Sequence, residues 1–445
     1  MTEYEELITS GDSLFQAYLD ACKASKWKAE TMKCSMNFLT VISNKQKELR
    51  NREYATGTRR EFIANERGKE RAITSTRIED RIVRHSAYDN VIVPALTPKL
   101  IYHNGASLKG KGIKFTRTCF ENHLHSLYNI DGTNEGWILF IDFSKYYDNI
   151  PHNQLIHDVG EVIKDDFTMW LYSENVSASK VDVSGLDDCK IDELMNGVFN
   201  SIEYRRNNYE HKGEKYINKS LDIGDQGSQI SGVFYPTPID NYVKIVRGHK
   251  LYNRYMDDIV IMDKDKARLL ETFDGICKIA ENKGIHINRK KTKLVKASST
   301  FVYLQMRYRL TPTGHIEKCM KNNKVTAMCK KLKKLHKKLH NRQIKYSTIE
   351  KLYKSWINSY IKYLKKNQLR KLNNTYNDLF IKDFAGGSNY EYNLRISEWT
   401  ENREPRSERK LPALGQGNTG RVVDRYHVTG CDSKWYKLRK YNLCA

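Results

Sequence analysis

Residues 252–261 read YNRYMDDIVI, and the adjacent aspartates Asp257 and Asp258 constrain the fold more than any other feature. Their neighbours are β-branched and aromatic residues with strand character. Two like charges side by side repel one another and resist burial. A run that otherwise suits a sheet tolerates them only where a tight turn, a cation or both relieve the cost. Aspartate accepts turn geometry, so LYNRYMDDIVIMD reads as two strands with the aspartates at the bend. Standing alone, an Asp-Asp turn is commonly just a solvated hairpin tip.

A second run changes the weighing. Residues 137–143, WILFIDF, read as a buried strand that ends in Asp142. An aspartate at a sheet edge also needs a partner. If the two strands are neighbours, Asp142, Asp257 and Asp258 form a hard, oxygen-rich site suited to Mg²⁺, which keeps substrate phosphates among its ligands. Two such ions suit an in-line phosphoryl displacement.

The partner is suggested by charge. Lysine and arginine total 76 against 53 acidic residues, a formal charge of +23. Such a surplus favours a polyanion, because each phosphate neutralised releases counterions. No apolar stretch has the length to span a bilayer, and the N-terminus MTEYEELITS lacks the character of a secretory signal, so a cytoplasmic nucleic-acid-binding protein is expected. The nine cysteines are scattered without a CxxC pair, which argues for reduced thiols rather than a zinc ribbon.

Along the chain, the first fifty residues carry helical periodicity, with Leu14, Tyr18 and Cys22 on one face. From about Asn65 a basic turn, a short β-rich run and a helix follow. Residues 160–220 are polar and weakly patterned, an insertion with helices. GDQGSQISG at 224–232 reads as a glycine-containing loop before a helix, and a further helix is predicted around 265–283. KGIHINRKKTKL precedes a strand, FVYLQMRYRL. Beyond Thr313 the chain turns helical and very basic, with Met328, Leu332, Leu335 and Leu339 spaced for one apolar face. After Ala385 the texture is loop-like.

The order and content of these segments resemble the reverse transcriptases. The resemblance implies an α+β right-hand polymerase: an N-terminal helical extension (1–64), fingers (65–136), a palm with an antiparallel sheet (137–313, insertion 160–220), a basic helical thumb (314–385) and a C-terminal extension (386–445). Tyr255-Met256-Asp257-Asp258 is similar to the family's catalytic box and Asp142 to the carboxylate of the first palm strand. The implied metal set is Asp142, Asp257, Asp258 and the Phe143 backbone carbonyl, holding two Mg²⁺ ions, with Mn²⁺ as a substitute. Tyr147, five residues after Asp142, falls at the steric-gate position that excludes a ribose 2′-OH. Lys69 and Arg71 fall where the fingers hold the triphosphate; either could be an ordinary solvated charge. Gln226, Gly227 and Ser228 resemble the loop beneath the nascent base pair, although Gly227 could be merely a turn glycine. A lysine near Lys291 falls where the family assists the pyrophosphate leaving group. FVYLQMRY is similar to the primer-grip hairpin.

What the resemblance implies for partners is a structured noncoding RNA template, an RNA–DNA duplex and dNTPs. Gly224, Ser228 and Gln229 fit a Gly-x-x-x-Ser-Gln shape shared by diversity-generating enzymes and by stand-alone bacterial enzymes of anti-phage defence; the extra terminal elements favour the latter. Group II intron enzymes resemble the palm but often add a nuclease region. Val428-Thr429-Gly430 matches a retron motif in the wrong surroundings. Trp435, Tyr436 and Tyr441 lie among basic residues and could stack on unpaired bases or dock on the thumb. From another class, an RNA-binding maturase or chaperone would keep the fold with the chemistry incidental.

Overall fold

The strand that ends in Asp142 lies at the centre of a four-stranded antiparallel sheet in the computed structural model, which describes residues 2–381 apart from residues 24, 67, 207 and 208. Residues 1–376 form one unit; a second begins at Asn377, and only its first residues are described. The C-terminal extension 386–445, with Trp435, Tyr436, Tyr441, Val428-Thr429-Gly430, Cys431 and Cys444, lies outside the described residues.

The strands in chain order are β1 (Arg60–Glu66), β2 (Lys69–Ser75), β3 (Trp137–Ile141), β4 (Val181–Asp182), β5 (Tyr216–Ile217), β6 (Tyr252–Tyr255), β7 (Asp258–Asp263), β8 (Lys293–Lys296), β9 (Phe301–Tyr303), β10 (Met306–Leu310) and β11 (Ile316–Met320). The central sheet has the order β6-β7-β3-β8. Both of its faces are covered, which is why WILFI and IVIM read as unbroken apolar runs. Leu139, Ile141, Ile259 and Ile261 enter one core, shared with Leu269, Phe273 and Ile276 of the helix Lys266–Asn282. Ile138, Val260 and Met262 enter a second, with Phe120, Leu124 and Leu127 of the helix Ile113–Asn129 and with Phe301, Tyr303 and Tyr308. Each such side chain, fully buried, stabilises the fold by about 1.5–3 kcal/mol. The helix Lys266–Asn282 starts at Asp265, whose carboxylate accepts from the N–H groups of Ala267 and Arg268.

Four helices open the chain, Glu3–Thr9, Gly11–Cys22, Ala29–Met36 and Phe38–Arg50. They pack on the helix Ile78–Ala87, where the Ser86 hydroxyl donates to Ile8 O and Arg81 donates to Ala21 O. Leu14 and Cys22 are buried and Tyr18 packs against the same core. The basic helix Asn322–His340 buries Val325, Met328, Cys329 and Leu332 and leaves Lys330, Lys331, Lys333, Lys334, Lys337 and Lys338 exposed.

Several expectations need correction. Helix ends at Arg50 and β1 begins at Arg60, so a boundary after residue 64 cuts a strand. REFIANE is too polar to announce itself, and it is held by full pairing with β2, Arg60 opposite Ser75 through Glu66 opposite Lys69. A thumb boundary at 314 likewise precedes β11, which pairs with β10 before helix begins at Asn322. FVYLQMRYRL is not one strand but a hairpin of two, as the family likeness of FVYLQMRY implied, because Leu304 and Gln305 take positive φ and reverse the chain. KTKLVK contains a strand, β8, along the edge of β3. Gln226, Gly227 and Ser228 belong to the first turn of a helix, Gln226–Phe234, which the Asp225 carboxylate caps by accepting from Ser228 N–H.

Candidate active site

β7 pairs with β3 from Trp137 opposite Asp263 to Ile141 opposite Ile259. One step beyond that last pair come Asp142 and Asp258. Side chains alternate along a strand, so both lie on the face of Phe140 and Val260. Asp257 occupies the turn: Tyr255 pairs with Asp258, which leaves Met256 and Asp257 as a two-residue bend. Met256 takes φ 56°, a conformation that favours glycine. The doublet is therefore split, with one aspartate in the turn and the other heading a strand.

The three carboxylates act on one another. Burial, and then the charge of Asp142, raise the Asp257 carboxyl above the usual carboxylate range. Asp258 is pushed up to about 7 by burial and by both neighbouring carboxylates. Cations oppose this. Lys291 Nζ lies 2.6 Å from Asp142 Oδ2, and the charge of Lys291 also bears on Asp257 and Asp258. Arg71 acts on Asp257 and Lys69 on Asp258, so the β1–β2 hairpin presents its basic end to the site. Arg71 also pairs with Glu66 across that hairpin, Nε to Oε2 3.0 Å.

Among the described residues no group of three or more His, Cys, Asp and Glu side chains is placed to hold a metal ion. Mg²⁺ is ordinarily held by one or two carboxylates, with substrate phosphates and water completing its shell. Mutual repulsion in a partly buried carboxylate cluster is what a divalent cation would relieve. The backbone around Phe143 pairs with the segment at Ile287. Asn288 N–H donates to Asp142 O at 2.8 Å and Ser144 N–H to His286 O at 2.7 Å. Phe143 thus sits opposite Ile287 at a non-hydrogen-bonded position, its own carbonyl turned away from that neighbour.

Tyr147 lies beside the turn, its hydroxyl 3.6 Å from Met256 Sδ. Its ring rests over Gly232, where a Cβ would come within 3.0 Å of the hydroxyl and 3.1 Å of Cζ. Gln226 donates through Nε2 to Asp89 Oδ1. Gly227 is buried, and a Cβ there would stand 2.5 Å from Tyr88 Cζ. Its missing side chain makes room for Tyr88, a packing reason beyond that of a turn glycine. Beneath it, Arg84 Nη1 lies 2.7 Å from Asp225 Oδ1, with both side chains buried.

Arg254 was not singled out from sequence, although an arginine inside YNRY is a signal. It is fully buried and pairs with Asp240, Nη2 to Oδ2 2.6 Å. It also donates to Val233 O at 2.8 Å and to Met256 O at 3.2 Å. The guanidinium thus ties the turn carbonyl to the helix that carries Gly232.

Residues 65–308, more than half of the chain, match the family described as reverse transcriptase (RNA-dependent DNA polymerase). The chain belongs to the reverse transcriptase family. Its α+β architecture with an antiparallel palm sheet is that family's right-hand polymerase fold. This reverse transcriptase is 23% identical over 256 residues to the COX1/OXI3 intron 2 protein of Saccharomyces cerevisiae, across 48% of this chain and 28% of that protein. The chain therefore spans little more than a quarter of that relative's length. Similar solved structures include telomerase from Candida albicans in complex with a TWJ fragment of telomeric RNA (13% identity, 79% of this chain and 65% of that chain, TM-score 0.42). Another is apo telomerase from Candida tropicalis truncated from its C-terminal domain (14% identity, 58% and 54%, TM-score 0.38). Among the described residues no helix is long and apolar enough to cross a membrane.

Proposed function

We propose that the chain is an RNA-directed DNA polymerase that copies a structured noncoding RNA into DNA. The observation that carries this reading is the placement of Asp142 and Asp258 on one sheet face beside the Asp257 turn, with Lys69 and Arg71 acting on them from the fingers hairpin. A primer 3′-hydroxyl attacks the α-phosphorus of a bound dNTP; the new P–O bond forms as the bond to pyrophosphate breaks, and the hydroxyl proton passes to water. Asp142, Asp257, Asp258 and the Phe143 carbonyl would hold two Mg²⁺ ions, or Mn²⁺ in their place, which when bound neutralise charge on the reacting phosphate and on the leaving oxygen. Lys69 and Arg71 hold the triphosphate, an ammonium as a point charge and a guanidinium as a fork. Tyr147 blocks the space a ribose 2′-OH needs. Lys291 reaches the pyrophosphate once its pairing with Asp142 is exchanged. Gln226 and Gly227 form the floor under the new base pair. The exposed lysines of Asn322–His340 grip a primer–template duplex through its phosphates.

The biological setting we favour is bacterial anti-phage defence, resting on the Gly224-x-x-x-Ser228-Gln229 pattern and the helical N-terminal extension. The likeness to an intron-encoded protein favours a second reading, an intron-type enzyme. Labelled dNTP incorporation by the purified full chain on a primed RNA template tests the activity. We expect incorporation that needs Mg²⁺ and is lost in Asp257→Asn. Equal incorporation by that variant would remove the aspartates from the chemistry. Sequencing copurifying RNA and DNA separates the two settings.

A further inference from the structure

Residues 199–206 lie in the polar insertion that showed little pattern in the sequence, yet they touch both sides of the nucleotide pocket. At one end they hold the turn that carries Tyr147. Phe199 N–H donates to Asn149 Oδ1 at 2.7 Å, and Asn149 Nδ2 donates back to Phe199 O at 3.0 Å. Ser201 Oγ donates to Asp148 Oδ1 at 2.6 Å, and Lys145 Nζ to Asn200 Oδ1 at 2.9 Å. At the other end they hold the β1–β2 hairpin. The buried Arg205 donates to Glu61 Oε1 at 2.5 Å and Thr74 Oγ1 at 3.4 Å, one residue on each strand. Its other nitrogen bonds Ser179 O at 3.0 Å and faces Asp222, which Arg59 also pairs. Arg206 reaches Glu70 Oε2 at 2.7 Å, next to Lys69 and Arg71.

Between the two ends stands a single helical turn, Ser201–Tyr204. Four residues of helix rise roughly 6 Å, a short and stiff spacer. We infer that residues 199–206 are a strut that fixes the fingers hairpin against the gate turn, with Arg205 and Arg206 as positioning residues for dNTP binding. The triphosphate cations and the steric gate are then assembled before nucleotide arrives. A flexible hairpin would have to be ordered by the nucleotide itself, at a cost in affinity. The inference rests on the polymerase reading, because only that reading makes the hairpin a nucleotide-binding element.

The decisive variants use the exposed Arg206–Glu70 pair, which leaves the buried network intact. Arg206→Glu places like charges together. On the full chain with pre-annealed primer–template, we expect KM for dNTP to rise about three- to tenfold. kcat should stay within about twofold and primer–template Kd should be unchanged. Amide exchange across residues 60–75 should quicken, and Arg206→Glu/Glu70→Arg should restore both exchange and KM. Arg205→Lys, which keeps the charge and loses the fork, should raise KM in the same way. Unchanged KM in Arg206→Glu, no restoration by the swapped pair, or a primer–template Kd that moves in step with KM overturns the strut. If the parent chain incorporates no dNTP, the polymerase reading fails. The exchange measurement then still decides the strut: faster exchange reversed by the swap upholds it, and unchanged exchange removes it.

Discussion

The Lys291 ammonium lies 2.6 Å from the Asp142 carboxylate, on the strand end that faces Asp258. A cation from the chain itself thus stands against one of three mutually repelling carboxylates. Lys291 is more than half exposed and free to turn toward a leaving phosphate. Lys291→Ala should lower kcat for dNTP incorporation by about 10²-fold with primer–template affinity unchanged. A kcat within twofold of the parent would take Lys291 out of the machinery.

Asp257→Asn tests the turn aspartate. We expect incorporation to fall by roughly 10³-fold or more, about 4 kcal/mol of transition-state stabilisation. RNA affinity, measured by filter binding, should remain nearly that of the parent if, as proposed, the duplex is held by the exposed lysines of Asn322–His340 and not by the turn.

Tyr147 supports two predictions. Tyr147→Ala should admit ribonucleotides, read as the ratio of kcat/KM for dNTP and rNTP. Gly232→Ala should unseat the ring, since the added methyl would meet the Tyr147 hydroxyl and Cζ at 3.0–3.1 Å and the tyrosine must shift. We expect the latter to raise KM for dNTP about three- to tenfold. If Tyr147→Ala discriminates as well as the parent, the gate lies elsewhere.

Arg254 and Asp240 allow stability and function to be separated. Asp240→Ala leaves a buried, unpaired guanidinium and should cost about 3–5 kcal/mol, read by denaturant unfolding. Arg254→Met/Asp240→Leu removes both charges and should recover most of that loss. It should not recover incorporation, because the bond from Arg254 to the Met256 carbonyl is gone as well. A fully active double variant would reduce the pair to a structural role.

His123 sets an acid limb. Burial, and then the neighbouring His103, lower its pKa to about 4. The unfolded chain binds this proton near pH 6.5 and the folded chain only near 4, so stability is complete above 6.5 and is lost as pH falls through that window. The loss is up to about 3 kcal/mol from this group. Its Nδ1 is buried without a hydrogen-bond partner, so His123→Leu should flatten the profile between pH 6.5 and 4 while changing little at pH 7.5. An unaltered profile would assign the acid limb to other groups.

The two central strands of the sheet, β3 and β7, were legible because two buried faces demand apolar residues, and WILFI and IVIM supply them, whereas the edge strand KLVK was not. The turn was legible because Asp-Asp is costly anywhere else. Elements held by partners instead of by composition were not. REFIANE is a strand only because KERAITS pairs with it along its whole length. Residues 199–206 look featureless, since their bonds run to Asn149, Glu61 and Glu70, more than fifty positions away in most cases. Gly227 and Gly232 are visible as glycines in the sequence, but that Tyr88 and Tyr147 occupy the space they leave is not. Arg254 stood in plain sight in YNRY; its partner Asp240 sits in a helix segment with no charge pattern to announce it.

The two-residue bend between Tyr255 and Asp258 also limits how this lineage can change. One added residue there would slip β7 by a step, turn Asp258 to the opposite face and exchange Ile259 and Ile261 with Val260 and Met262 between the two cores. Outside the carboxylates and Arg254, substitution is open to this hairpin; insertion and deletion are not. Residues 160–220 lie where the chain has left the central sheet and not yet returned, and outside the β4–β5 pair and the strut at 199–206 length can vary there without moving a pair of that sheet. Divergence in this molecule should therefore be recorded as length in one place and as spelling in the other.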